Sequence, residues 1–331
     1  MQALDLTLKN LADASEPVSI FNLYSLSSLE RADLDTVRSA WPSIPTERRQ
    51  TTMHHLIEIA EDNFEVDFGS IYRLGMTDAD PDVRATAISG LWDDTDPALI
   101  APLVKIMQSD DADKARAAAA SALGRFVYEY EIEEIDARKV TPALLALKAT
   151  HTNPGESIEV RRRALEALSF MPYDEVGALI EQAYRDPDSQ MRLSAVFAMG
   201  RSSDQRWGEI VDQELDSIDP EMRYEAARAC GEMQYTPAVK HVARLVDDVD
   251  EDVQRAAVWA LGQLGGDYAR DILMGVLDSD AAYLHQEAEG ALDEWEFNTG
   301  NLDFAMMDFG DDDDDEEWVL DEDFDDEEDD E

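Results

Sequence analysis

Apolar residues fall at relative positions 0, 4, 7 and 8 of a segment that recurs along the chain: VRATAISGL (83–91), ARAAAASAL (115–123), VRRRALEAL (160–168), MRLSAVFAM (191–199), MRYEAARAC (222–230), VQRAAVWAL (253–261) and LHQEAEGAL (284–292). That spacing is the stripe of an amphipathic helix. The second residues of the last five segments stand 31 apart, and those of the first two stand 32 apart. RRQTTMHHL (48–56) reads as a divergent first member. Position 4 is alanine in all seven segments, Ala87 to Ala288, which lets neighbouring helices approach closely. Asp-rich turns precede most segments, as in DADPD (78–82), DPDSQ (186–190) and DVDED (248–252). Asp caps a helix N-terminus well, and Pro is tolerated at the first helical position. Helix ends are expected near Gly124, Gly200 and Gly262.

Second helices are predicted between these segments, among them 97–108, 174–185, 236–246 and 269–277. The unit is thus a helix pair of about 31 residues that cannot bury its apolar stripe alone, so a stack with one continuous core is expected. The fold expected is all-α, a right-handed α-α superhelix of about eight units over residues 41–297. Residues 1–40 are expected to form a helical cap, and residues 298–331 a disordered acidic tail. The step from 116 to 161 is 45, so a loop or added helix is expected near 127–140.

Charge narrows the function classes. The 331 residues carry a formal net charge of −49. Residues 303–331 hold 19 acidic side chains and no Lys or Arg, which leaves −30 on the body. Such a field repels duplex nucleic acid and anionic membrane surfaces. No apolar run reaches the length of a membrane span, and no secretory-type leader is recognised. The single cysteine, Cys230, makes neither an internal disulfide nor a Cys-based zinc site. These features are read as a cytoplasmic monomer.

The pattern D-x-D-x-x-V-R-x-x-A-x-x-A-L-G resembles the HEAT family, in the short bacterial variety named after phycobilisome lyases. DADPDVRATAISGLWD (78–93) and DVDEDVQRAAVWALGQLG (248–265) carry it best. Residues 29–68 look like the N-terminal cap of bacterial HEAT proteins without an assigned function. The resemblance implies that the V-R helices line a concave face and that each Arg pairs with an Asp of an adjacent repeat. Carried over, Arg84, Arg116, Arg161, Arg192 and Arg223 form that ladder, from which Gln254 and His285 depart.

Enzymatic relatives supply an alternative, a lyase or chromophore-handling protein, but no lyase motif is matched. Deoxyhypusine hydroxylase is similar in repeat, yet it uses His-Glu dipeptides to hold iron, and the nearest approach here is His285-Gln286-Glu287. His54 and His55 are adjacent and face different sides of a helix, not the i, i+4 spacing of a metal pair. DADPD imitates the start of a calcium loop, but Val83 stands where glycine is needed. No catalytic motif, cofactor or metal is expected, and Cys230 at an apolar repeat position reads as a small buried hydrophobe.

Relative positions 2, 3 and 6 are expected to face the groove. They place Arg162, Arg163, Phe197, Tyr224, Arg228, Arg255 and Trp259 on one face as candidate partner-binding residues, since aromatics and arginines dominate binding hot spots. The competing reading packs Phe197 and Trp259 between repeats as core. In the tail, Phe309, Trp318 and Phe324 are candidate anchors. Acidic segments with spaced aromatics act as recognition segments or as solubilising tails. The tail is expected to fold back onto the groove or to bind a basic partner in trans. The function expected is a non-catalytic interaction scaffold or assembly factor for a protein partner.

Overall fold

The computed structural model describes residues 2–298, and every regular element among them is helical. Phe309, Trp318 and Phe324 lie outside the described residues. Three helices open the chain: α1 (Gln2–Ala12), α2 (Ile20–Leu23) and α3 (Arg31–Ala40). An alternating series follows: α4 (Thr46–Asp62), α5 (Gly69–Gly75), α6 (Pro81–Ser89), α7 (Ile100–Ser109), α8 (Asp113–Glu131), α9 (Ala137–Thr152), α10 (Ile158–Leu168), α11 (Tyr173–Tyr184) and α12 (Ser189–Arg201). It continues with α13 (Gly208–Glu214), α14 (Pro220–Glu232), α15 (Val239–Arg244), α16 (Glu251–Leu264), α17 (Gly266–Leu277) and α18 (His285–Asn298). The repeat segments form the even-numbered helices from α4 to α18, and the intervening helices form a second row. One apolar core, from Leu4 to Ala291, runs the length of the stack.

The Asp-rich turns start the helices as their chemistry dictates. Asp80, Asp188, Asp219 and Asp250 are N-caps whose carboxylates accept from backbone N–H groups of the first turn. Pro81 and Pro220 sit at the first helical position.

The even-numbered helices pack against one another far more extensively than their odd-numbered counterparts do. Glycine makes this possible. A Cβ on Gly200 would lie 2.7 Å from Ala229 Cα, and one on Gly262 would lie 2.6 Å from the Ala291 carbonyl oxygen. Gly124 and Gly231 meet Ala167 and Ala260 in the same way. Gly200 and Gly262 also lie near the ends of α12 and α16, as expected, whereas α8 runs on past Gly124 to Glu131. The residue that ends α16 in the left-handed region is Gly265, with φ 67°. A stack whose one row is spaced more tightly curves toward that row, so the even-numbered helices line the concave face.

The long step near 127–140 is neither a loop nor an added helix. It lengthens one helix pair: α8 has 19 residues and α9 has 16, against 13 in α12 and in α14.

The arginine ladder is real but differently built. Arg84 bonds Asp110 through Nε at 2.8 Å and Nη2 at 2.6 Å, and Arg223 bonds Asp248 at 2.8 and 2.7 Å. Arg116 reaches Glu156 at 2.8 Å. These bonds hold the three guanidinium groups above the usual arginine range. Arg49, absent from the expected set, forms the first rung with Asp78 at 2.9 Å. Each of these Asp residues also takes the N–H two residues on.

Arg161 and Arg192 do not pair with a carboxylate among the described residues. The position facing Arg192, equivalent to Asp110 and Asp248, is Ser217. Arg161 instead donates to the His151 carbonyl at 3.0 Å. What persists is a backbone bond to the residue six places earlier. Arg84, Arg116, Arg192, Arg223, Gln254 and His285 each make it, to Asp78, Asp110, Asp186, Ser217, Asp248 and Ser279 respectively. Gln254 and His285 therefore keep the part of the rung that braces their own turn.

Candidate functional site: the concave groove

Helices α10, α12, α14 and α16 present relative positions 2, 3 and 6 to the concave side. Two neighbouring cavities open there. The first, of about 620 Å³, lies between Arg162, Arg163 and Leu193 on one side and Tyr224, Glu225 and Asp252 on the other. The second, of about 360 Å³, is bounded by Arg228, Arg255, Trp259 and Glu287. Tyr224 and Asp252 belong to both, so the two form one continuous depression. The structure thus gathers Arg162, Arg163, Tyr224, Arg228, Arg255 and Trp259 along a single groove. Phe197 lines neither cavity and lies against the Arg201 guanidinium, 5.4 Å from the ring centre. Trp259 is half-buried, with Arg228 stacked 5.6 Å from its ring centre.

Every one of the groove arginines is already occupied. Arg162 donates to Glu159 at 3.0 Å, Gln190 at 2.8 Å and Ser194 at 2.9 Å. Arg163 is clamped between Glu159 at 2.9 Å and Glu166 at 2.8 Å, on its own helix. Arg228 bonds Glu232 at 3.1 Å, and Arg255 bonds Glu287 of the next repeat at 2.8 Å. These pairs neutralise the guanidinium charge and hold the side chains flat on the helix surface.

Glu225 differs. It lies in the first cavity and makes no hydrogen bond among the described residues. Burial pushes its carboxyl up to about 7, Arg228 opposes that, and Glu232 and Glu166 add to it. Burial also raises the Glu232 carboxyl against the pull of Arg201 and Arg228. Glu221, Asp250 and Asp252 complete the rim, and no Lys lines either cavity. After internal pairing, the uncompensated charge of the groove is negative.

Position 3 already put Glu225 on this face. What residue-by-residue reading missed was its isolation, because the partners that consume the arginines come from positions −1, 6 and 10 and from the neighbouring repeat. The i, i+3 and i, i+4 spacing of Glu159, Arg162, Arg163 and Glu166 was the available signal.

Cys230 is buried, and its thiol is pushed up to about 12 by desolvation, as suits a core position. His55 pairs with Glu58 at 2.8 Å. Among the described residues no three His, Cys, Asp or Glu side chains are grouped to hold a metal ion, and no helix is long and apolar enough to cross a membrane.

No curated protein matches the chain in sequence. Among solved structures, an engineered protein shares 20% identity at a TM-score of 0.41, covering 60% of this chain and 96% of its own. The Escherichia coli protein YibA shares 15% at 0.45, covering 85% and 98%. Human deoxyhypusine hydroxylase in complex with glycerol shares 17% at 0.35, covering 89% and 96%. The family model described as HEAT repeats matches residues 73–150 and 209–293. The chain is a stack of helix pairs whose residues 73–150 and 209–293 match the HEAT-repeat model.

Proposed function

We propose that the protein is a non-catalytic scaffold whose concave groove, at α10 to α16, binds a basic segment of a protein partner. The observation that carries this reading is the charge of the groove after internal pairing. Arg162, Arg163, Arg228 and Arg255 are held by carboxylates of the same chain, whereas the Glu225 carboxylate is left without a hydrogen bond. A partner lysine or arginine supplies the missing donor, and Tyr224 and Trp259 offer flat apolar surface to its methylenes. Occupation by the acidic tail fits less well, because each tail carboxylate would have to displace an existing ion pair.

The test is fluorescence anisotropy with labelled octalysine and octaglutamate. Octalysine is expected to bind the full chain more tightly, and more weakly as salt rises. The double variant Tyr224→Ala, Trp259→Ala is expected to lose about tenfold in affinity or more. Binding to the acidic tail alone is untouched by those substitutions. Equal affinities for wild type and variant therefore refute the groove.

A further inference from the structure

A third cavity, of about 400 Å³, lies at the edge of the stack near the N-terminal end. It is bounded by the segment from Asn63 to Gly69 and by the turn from Gly90 to Asp94, with Tyr72 of α5 between them. Three observations there point to a ligand.

The first is Tyr72. Its side chain is only 3% exposed, and its hydroxyl has no hydrogen-bond partner. A buried hydroxyl is almost always paired, because leaving it unpaired forfeits the bonds it made to water. The ring is locked in place: a Cβ on Gly90 would lie 2.5 Å from it. Desolvation pushes the phenol far up, and the nearby charges of Asp93 and Glu61 add to this. The phenol therefore keeps its proton.

The second is the sign of the field. Asp67, Asp93 and Asp94 line the cavity, and no basic residue does. Asp94 is paired with Arg73. Asp67 accepts the Gly69 N–H at 2.8 Å. Asp93 makes no hydrogen bond among the described residues and feels the Arg125 guanidinium only electrostatically.

The third is the lip. Phe64 is 89% exposed and Trp92 is 60% exposed, both lining this cavity. Aromatic faces beside an acidic hollow attract cations, and they cover methylenes.

We propose that this cavity is a binding site for an alkylammonium ion. Its N–H groups are taken by the Asp93 carboxylate and the Tyr72 hydroxyl oxygen, and its carbon chain lies against Trp92 and Phe64. A free polyamine and a lysine side chain of a peptide share this chemistry. The site is separate from the concave groove, and neither depends on the other.

The experiment uses the full chain, labelled with nitrogen-15, and follows the Trp92 indole resonance, assigned by its disappearance in Trp92→Phe. Spermidine and N-acetyl-lysine methylamide are titrated at matched ionic strength, with tetramethylammonium as the cation that lacks N–H donors. A saturable shift is expected with one of the two amines, and the one that saturates at lower concentration identifies the source. Asp93→Asn is expected to weaken binding about tenfold, the loss of one charge-assisted hydrogen bond. Tyr72→Phe removes only an unpaired hydroxyl, so the fold is retained. It is expected to abolish the preference for the amine over tetramethylammonium. An unshifted Trp92, wild-type affinity in Asp93→Asn, or equal binding of tetramethylammonium to the wild-type chain overturns the proposal. The last result reduces the site to an unspecific cation hollow.

Discussion

Glu225 gives the groove a measurable energetic signature. Its carboxyl is carried from 4.5 to about 7, first by burial. The folded state therefore prefers the protonated form more than the unfolded chain does. The associated stability is full below 4.5 and is lost as pH rises through 7. At about 1.4 kcal/mol per pH unit, the whole loss is about 3 kcal/mol. Between about pH 5.5 and about pH 8 the linkage relation leaves about 2 kcal/mol of it. Glu225→Gln keeps the shape and removes the ionisation, so the variant escapes this loss while every other titrating group is still present. Urea denaturation of both chains at the two pH values measures the difference. A solenoid can melt in segments, so hydrogen exchange of the α14 amides is followed as well. The variant is expected to gain about 2 kcal/mol over wild type on going from the lower to the higher pH. A difference independent of pH would show that Glu225 is solvated in solution, and the argument for a basic partner would lose its anchor. With octalysine the same residue predicts tighter binding as pH rises through 7, because only the ionised form pairs with lysine.

Other consequences follow from the packing and the ladder. Gly200→Ala should destabilise by about 1–3 kcal/mol despite the better helix propensity of alanine, since its Cβ meets Ala229 backbone at 2.7 Å. Gly275→Ala, with nothing within 4 Å, should stabilise by up to about 1 kcal/mol. Thermal melting of the two variants separates close packing from propensity, and a shift of the same sign in both would refute the seam. Arg223→Ala leaves the mostly buried Asp248 without its partner and should cost about 3 kcal/mol. Arg223→Gln should recover part of that, because Gln254 makes the equivalent backbone bond one repeat later; denaturant midpoints of the pair decide. Deleting residues 303–331 should leave octalysine affinity for the groove unchanged or lower. An increase in anisotropy-derived affinity would favour a tail that occupies the groove.

The sequence by itself determined the helix pairs, their register and the face each one buries. Those follow from local rules: a 3.6-residue stripe, Asp caps and small residues at position 4, repeated at a step of 31. It also placed Arg162, Tyr224, Glu225, Arg228, Arg255 and Trp259 on one side, because position within a repeat fixes direction. Three things were decided only by tertiary structure. The glycines at the seam lie near helix ends in sequence, and only packing makes them close-approach sites, where the neighbouring helix leaves no room for a Cβ. The rung at Arg192 fails because its partner position, one repeat ahead, holds Ser217, whereas Arg161 donates to the His151 carbonyl although Asp186 stands at the corresponding position ahead of it. The charge of the groove depends on which carboxylates reach which arginines across helices. Composition cannot supply that, because an ion pair is a matter of distance, and distance between repeats is set by packing.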